Sequence, residues 1–104
     1  MRNDRQLPLT ETMYYILLSL FEPLHGYGVK KKVEKITKER VSLSAGTLYG
    51  ALKNLFNNEL ISKYDQSEGK TEYIITEKGR EVFIEELKRL KLLVADGELI
   101  KNIF

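Results

Sequence analysis

The chain has 104 residues, 42% of them hydrophobic and 31% charged, with a formal net charge of +2 and no cysteine. That is enough apolar content for one folded soluble domain and too little length for two ordinary ones, and it excludes disulfides and thiolate metal sites. The net charge conceals a segregation: residues 26–58 carry seven cations against Glu34 and Glu39, a net +5, while the flanking segments are neutral or acidic, and a local basic surface is the footprint of a phosphate binder.

The opening MRNDRQLPLT has no apolar core of the kind a signal peptide needs. The run from Met13 to Leu18 is far short of a membrane span, so a cytoplasmic location is expected. Thr10 is a good N-cap and Glu11 favours the positive end of a helix dipole. The first helix is therefore expected to run to about Glu22, where Pro23 stops it. Met13, Ile16, Leu17, Leu20 and Phe21 recur at helical spacing on one face. Tyr14 and Leu18 lie off that stripe, so the helix needs cover on two sides.

Leu24-His25-Gly26-Tyr27-Gly28 reads as a turn into a second helix over 26–37, with Val29, Val33 and Ile36 inward and the lysines outward. Val41 and Leu43 alternate in a way that suits a short strand. A third helix follows over 44–58, capped by Ser44, with Leu48, Leu52 and Leu55 as its single apolar stripe. Its opposite arc, Gly46, Gly50, Lys53, Asn54 and Asn57, is small, polar and free of carboxylates. Two short strands, 61–65 and 71–76, are joined by Ser67-Glu68-Gly69-Lys70. A helix of this kind followed by a hairpin is the layout of a winged helix-turn-helix, in which the helix lies in a DNA major groove and the hairpin touches the flanking backbone.

Thr76 should cap a fourth helix from about Glu77 to Ala95, in which Phe83, Leu87, Leu90 and Val94 form a coiled-coil-like seam widened by Leu92 and Leu93. Asp96-Gly97 reads as a stop. Leu99, Ile100, Ile103 and Phe104 then make an apolar end that is costly to leave in water. The expected fold is mostly α with a small β-hairpin: a winged helix-turn-helix in residues 1–76 and a C-terminal pairing helix in residues 77–104.

The segments Leu9 to Leu20, His25-Gly26-Tyr27, Leu43 to Leu52, Leu60-Ile61, Tyr73 to Gly79 and Leu93 to Gly97 together resemble the PadR family of bacterial transcriptional regulators, in its short form. The resemblance spans residues 9–97. It implies a dimeric winged-helix repressor or activator in which the first and last helices interlock with the partner's, with Tyr14, Leu18, Phe83, Leu87, Leu90 and Val94 at the interface. It also implies that Tyr49 meets the DNA backbone, and that Tyr14, Tyr15, Leu18, Leu90 and Val94 are available to line a space for a flat aromatic effector. The alternative for those side chains is a close-packed interface without a cavity. The chain departs from the family at Glu59, where a glycine commonly precedes the Leu-Ile of the wing, moving the left-handed cap role to Asn58. It departs also at the wing tip, which carries one cation, Lys70, where arginines are frequent.

The expected DNA-contacting set is Ser44, Gly46, Thr47, Tyr49, Gly50, Lys53 and Asn54 on the third helix, Lys30 on the second, and Lys70 and Thr71 on the wing. Lysine reaches phosphate or guanine and asparagine pairs with adenine, while Ser44 and Thr47 offer donors to phosphate at the helix start. Read from the pattern alone, Tyr49 is as well explained as a core-edge aromatic beside Phe56. Gly46 and Gly50, each costing a helix about 0.5–1 kcal/mol, fit close approach to another backbone. His25 reads as a turn or capping residue, and Glu85 and Glu86 as part of a charged helix face. No metal set, cofactor fingerprint or catalytic pair is visible, so no enzyme is expected. The alternative function is a winged-helix protein-interaction module, against which the absence of exposed apolar anchors on the third helix argues.

Overall fold

The computed structural model of the chain describes residues 7–104. Thr10 accepts a hydrogen bond from the Met13 N–H at 3.0 Å and starts α1 (Glu11–Ser19). The helix ends at Ser19 rather than at Glu22. Pro23 has no N–H for the Ser19 carbonyl, which accepts instead from Lys32 Nζ at 3.4 Å, and the Leu20 carbonyl accepts from the Ile75 N–H at 2.8 Å.

Leu24–His25 is not a simple turn but a two-residue strand, β1, and α2 (Gly26–Ile36) begins directly after it. Residues 38–43 do not form the expected strand. Lys38 and Glu39 both adopt left-handed conformations, and the turn is held by Thr37, whose hydroxyl donates to the Val33 carbonyl at 2.8 Å and accepts from the Val41 N–H at 3.1 Å. Leu43 is buried here all the same. Ser44 caps α3 (Ala45–Asn57). Its C-terminal end corrects the expected cap: Glu59 takes the left-handed conformation (φ 62°), while Asn58 stays at φ −92°. Glu59 N–H bonds to the Phe56 carbonyl and Leu60 N–H to that of Leu55, the paired bonds of a Schellman ending.

The wing is β2 (Ile61–Asp65), a single 3₁₀ turn at Ser67–Gly69 and β3 (Glu72–Ile75). The strands pair antiparallel with Ile61 opposite Ile75 and an irregularity between Lys63 and Asp65. β1 joins the other edge of β3, Leu24 opposite Tyr73 and His25 opposite Glu72, giving sheet order β1-β3-β2. Thr76 then caps α4 (Glu77–Ile103), accepting from Gly79 N–H at 2.9 Å and donating to the Glu59 carbonyl at 2.7 Å. Gly79 is required at this junction, because a Cβ there would lie 2.1 Å from the Leu60 carbonyl oxygen. α4 runs through the expected stop at Asp96-Gly97 to Ile103. A glycine inside a helix costs about 1 kcal/mol, too little to end a helix that is otherwise well formed.

One core gathers Ile16, Leu17 and Leu20 of α1, Val29 and Val33 of α2, the Leu48, Leu52, Leu55 stripe of α3, Leu60 and Ile61, Ile75, and Val82 and Phe83 of α4. The buried stripe of α3 fixes which arc of that helix faces out.

Candidate nucleic-acid interface

The outer arc of α3 is open. Gly46, Gly50, Lys53, Asn54 and Asn57 are all exposed, and a Cβ built at Gly46 or Gly50 would meet no atom within 4 Å. The fold itself therefore has no use for glycine at those two positions. Ser44 Oγ accepts from the Thr47 N–H at 3.2 Å and donates to Thr47 Oγ1 at 3.0 Å, which holds both hydroxyls at the helix start. Asn54 is steadied from behind by Asn58, whose Nδ2 donates to the Asn54 carbonyl at 2.8 Å and to its Oδ1 at 3.2 Å.

Tyr49 is 55% exposed and does not pack beside Phe56. Phe56 meets Tyr73 edge-on at 6.5 Å and lies under the Lys63 ammonium at 5.2 Å. Tyr49 instead lies across the start of α2, where a Cβ on Gly26 would fall 2.6 Å from its hydroxyl. This position places Tyr49 beside the wing. A cleft of about 420 Å³ opens there, lined by His25, Tyr27, Tyr49, Lys70, Thr71 and Tyr73 among others. A smaller space of about 210 Å³ adjoins it, sharing His25 and Lys70 and adding Glu68 and Glu72. His25 is the N-cap of α2, its Nδ1 accepting from the Gly28 N–H at 3.3 Å. Tyr27 and the cleft role of His25 are not apparent in the sequence, because β1 brings them to the wing only by pairing with β3, which lies far away in the chain. The His25-Gly26-Tyr27 signature was the available signal.

The basic segment is less free than its sum implies. Lys30 Nζ pairs with Glu34 at 2.7 Å and reaches Ser42 Oγ at 3.5 Å, and Lys31 lies 3.8 Å from the same carboxylate. Lys32 pairs with Glu22, and Arg40 with Glu11 at 3.2 Å. The hydrogen bond from Lys30 holds the Glu34 carboxyl below its ordinary range, helped by the Ser42 hydroxyl. Among the described residues, no carboxylate pairs with Lys53 or Lys70. Lys53 on α3 and Lys70 on the wing are therefore uncommitted, as is the exposed Lys35 of α2, whereas Lys30, which was expected to act from α2, is engaged by Glu34. At the wing tip, Glu68 and Gly69 are left-handed, which turns Lys70 and Thr71 toward the cleft.

The apolar residues expected to pair subunits or to need cover divide into three groups. Phe83 is only 5% exposed and belongs to the protomer's own core, stacked on Tyr14 at 4.8 Å with Phe21 edge-on at 5.4 Å. Leu18, Leu87 and Leu90 are half-buried. Leu92, Leu93, Val94, Leu99, Ile100 and Ile103 are 52–72% exposed. The Tyr15 hydroxyl accepts from the Arg40 guanidinium at 2.6 Å, and burial raises the Tyr14 phenol above its ordinary value, Tyr15 and Glu86 adding to it.

Glu86 is not part of a charged outer face. It is 1% exposed, accepting from Arg89 Nε at 2.6 Å and a second Arg89 nitrogen at 2.9 Å, and from the Leu9 N–H at 3.0 Å. Arg89 holds its carboxyl below the ordinary range against the opposing effect of burial, and the Leu9 N–H adds to this. It ties the segment before α1 to α4.

Among the described residues no group of His, Cys, Asp or Glu could hold a metal ion, and no helix is long and apolar enough to cross a membrane. The Transcriptional regulator PadR-like family matches residues 15–85. A PadR-like transcription factor from Bacteroides fragilis has a similar structure, with a TM-score of 0.67 and 26% identity over 89% of this chain and 88% of that one. RosR of H. salinarum superposes with a TM-score of 0.69 and 24% identity over 91% and 98% of the two chains. A 37.1 kDa protein of transposon TN4556 from Streptomyces fradiae is 33% identical over 60 residues, 58% of this chain but only 17% of that longer protein.

Proposed function

The chain belongs to the PadR-like family of transcriptional regulators, and on that premise we propose that it is a dimeric repressor that lays α3 in the major groove of its operator. The observation that carries this reading is the outer arc of α3. It is exposed, lacks carboxylates and apolar anchors, and sets Lys53 and Asn54 between two glycines and the C-terminal turn of the helix. A duplex approaching this arc meets a cation for phosphate or guanine, an amide for adenine, and no side chain at Gly46 or Gly50 to hold it off. Ser44, Thr47 and Tyr49 flank the arc with hydroxyls, and Lys70 and Thr71 add phosphate contacts from the wing. Lys30 contributes less, since phosphate must compete with Glu34 for it.

α4 is the dimerising element of this reading. Helical periodicity continues its core-facing side, Val82, Phe83 and Glu86, into Leu90, Leu93, Gly97, Ile100 and Phe104. From Leu93 onward the continuation has no cover within the protomer, and a second copy of the same surface would supply it. Repression is the expected sense, because a dimer lying across a promoter keeps other proteins off it. An aromatic effector seat between the subunits is the weaker reading for Tyr14, Tyr15, Leu18, Leu90 and Val94: Tyr14 already stacks on Phe83 and Tyr15 already holds Arg40. A gel shift of the full chain against DNA from its own promoter region, with a reporter fused to that promoter, tests the proposal. Retarded DNA and a reporter silenced by the chain are expected. No shift at micromolar protein in low salt would remove it.

A further inference from the structure

The cleft between the wing and the start of α2 has a composition that the groove-reading helix does not require. Six of its side chains, His25, Tyr27, Tyr49, Lys70, Thr71 and Tyr73, each carry an N–H or O–H donor. The two nearby carboxylates, Glu68 and Glu72, line only the smaller adjoining space. We propose that this cleft seats one backbone phosphate of the DNA strand running past α3, with His25, Tyr27 and Tyr49 as neutral donors and Lys70 as the cation. The assignment rests on α3 being the groove helix.

Two local features set the donors. Gly26 lets the Tyr49 ring lie across the first turn of α2, since a Cβ there would come within 2.6 Å of the hydroxyl and 2.9 Å of the ring. The backbone of Gly26 has no positive φ, so its lack of a side chain serves the tyrosine and not the turn. His25 caps α2 through Nδ1, which must be unprotonated to accept from the Gly28 N–H. The hydrogen of the neutral ring then sits on Nε2, the ring edge left to donate to a ligand in the cleft. Helix capping and phosphate recognition thus use opposite edges of one imidazole. Tyr27, 58% exposed on the first turn of α2, offers its hydroxyl from the same side.

A phosphate contact positions DNA without reading it, so its loss should weaken binding to every duplex alike. The full chain and the variants G26A, H25N and Y27F are compared by fluorescence anisotropy on promoter DNA and on an unrelated duplex of equal length. Asn keeps the cap of α2 while removing the Nε2 donor. Each variant is expected to weaken both duplexes by a similar factor, of about threefold to tenfold, with an unchanged melting temperature. Methylphosphonate placed at each linkage in turn should reveal one position where wild-type binding falls about tenfold and where H25N shows no further loss. H25N and Y27F binding both duplexes as the wild type does, while Asn54→Ala loses promoter binding, would overturn the phosphate seat and leave the groove reading standing. Failure of the wild type to bind any duplex would remove both. A titration with inorganic phosphate alone, followed by the His25 ring signals, separates free anion from DNA: saturation at micromolar phosphate would mean a free-phosphate site and overturn the assignment.

Discussion

The outer arc of α3 and the C-terminal stretch of α4 are both fully exposed, yet water treats them differently. The arc presents Gly46, Gly50, Lys53, Asn54 and Asn57, which lose nothing by staying hydrated. From Lys91 to Phe104 every residue of α4 is exposed as well, and there the surface includes Leu92, Leu93, Leu99, Ile100, Ile103 and Phe104. Burying apolar surface is worth about 25 cal/mol per Å², so the second surface would be stabilised by any apolar cover. The first can only select a partner through hydrogen bonds and charge. A hydrated, charged ligand such as DNA fits the one, and a second protein surface fits the other.

The sharpest way to break this comparison is to place charge on the apolar surface. The double change Leu93→Glu and Ile100→Glu should leave the protomer folded, since both side chains are already exposed. It should weaken the dimer by more than about 3 kcal/mol, because carboxylates would be desolvated at an interface. Light scattering at micromolar concentration should pass from twice the chain mass to one. A variant that keeps the wild-type mass would mean that these residues do not pair subunits.

The two sides of α3 should separate stability from binding. Leu52→Ala in the buried stripe is expected to cost about 2–5 kcal/mol in chemical denaturation. Asn54→Ala on the arc should change stability by less than about 0.5 kcal/mol and weaken operator binding by about 1–3 kcal/mol. Equal stability losses would show that the arc is structural.

The stripe, the arc and the caps at Thr10, Ser44 and Thr76 were all legible, because each depends on residues within a few positions of one another. What was missed depends on distant chain. β1 exists only because Leu24 and His25 pair with Tyr73 and Glu72. Glu86 looks like a surface carboxylate until Leu9 and Arg89 are brought to it. The pattern alone left Tyr49 open between the core edge and the outer surface for a related reason: the space over Gly26 is made by the packing of α2 against α3, and no spacing within α3 reveals it. At the end of α3 the reverse occurred. Asn58 is the residue type that tolerates a left-handed cap, but the Schellman bonds place that conformation at Glu59.

The charge inside the fold supplies a smaller effect. The folded Glu86 carboxyl lies below its ordinary value of 4.5, so its contribution is complete above about pH 5 and is lost as pH falls through the lowered value. Glu86→Gln should therefore cost about 1–2 kcal/mol near neutrality, and the gap from wild type should close on acidification below about pH 4. Thermal melts from pH 7 to pH 3 check this, and a gap independent of pH would assign the loss to packing. The smallest expected change is a gain: Glu59→Gly should add about 1 kcal/mol by relieving the left-handed carbon, without altering DNA affinity.

The central claim is that α3 reads DNA, and the triple change of Tyr49, Lys53 and Asn54 to Ala tests it most directly. Its affinity for promoter DNA is measured beside the wild type, with circular dichroism to establish that both are folded. A fall of about 100-fold or more with unchanged helicity is the predicted result. A folded triple variant that binds the promoter as tightly as the wild type would contradict it.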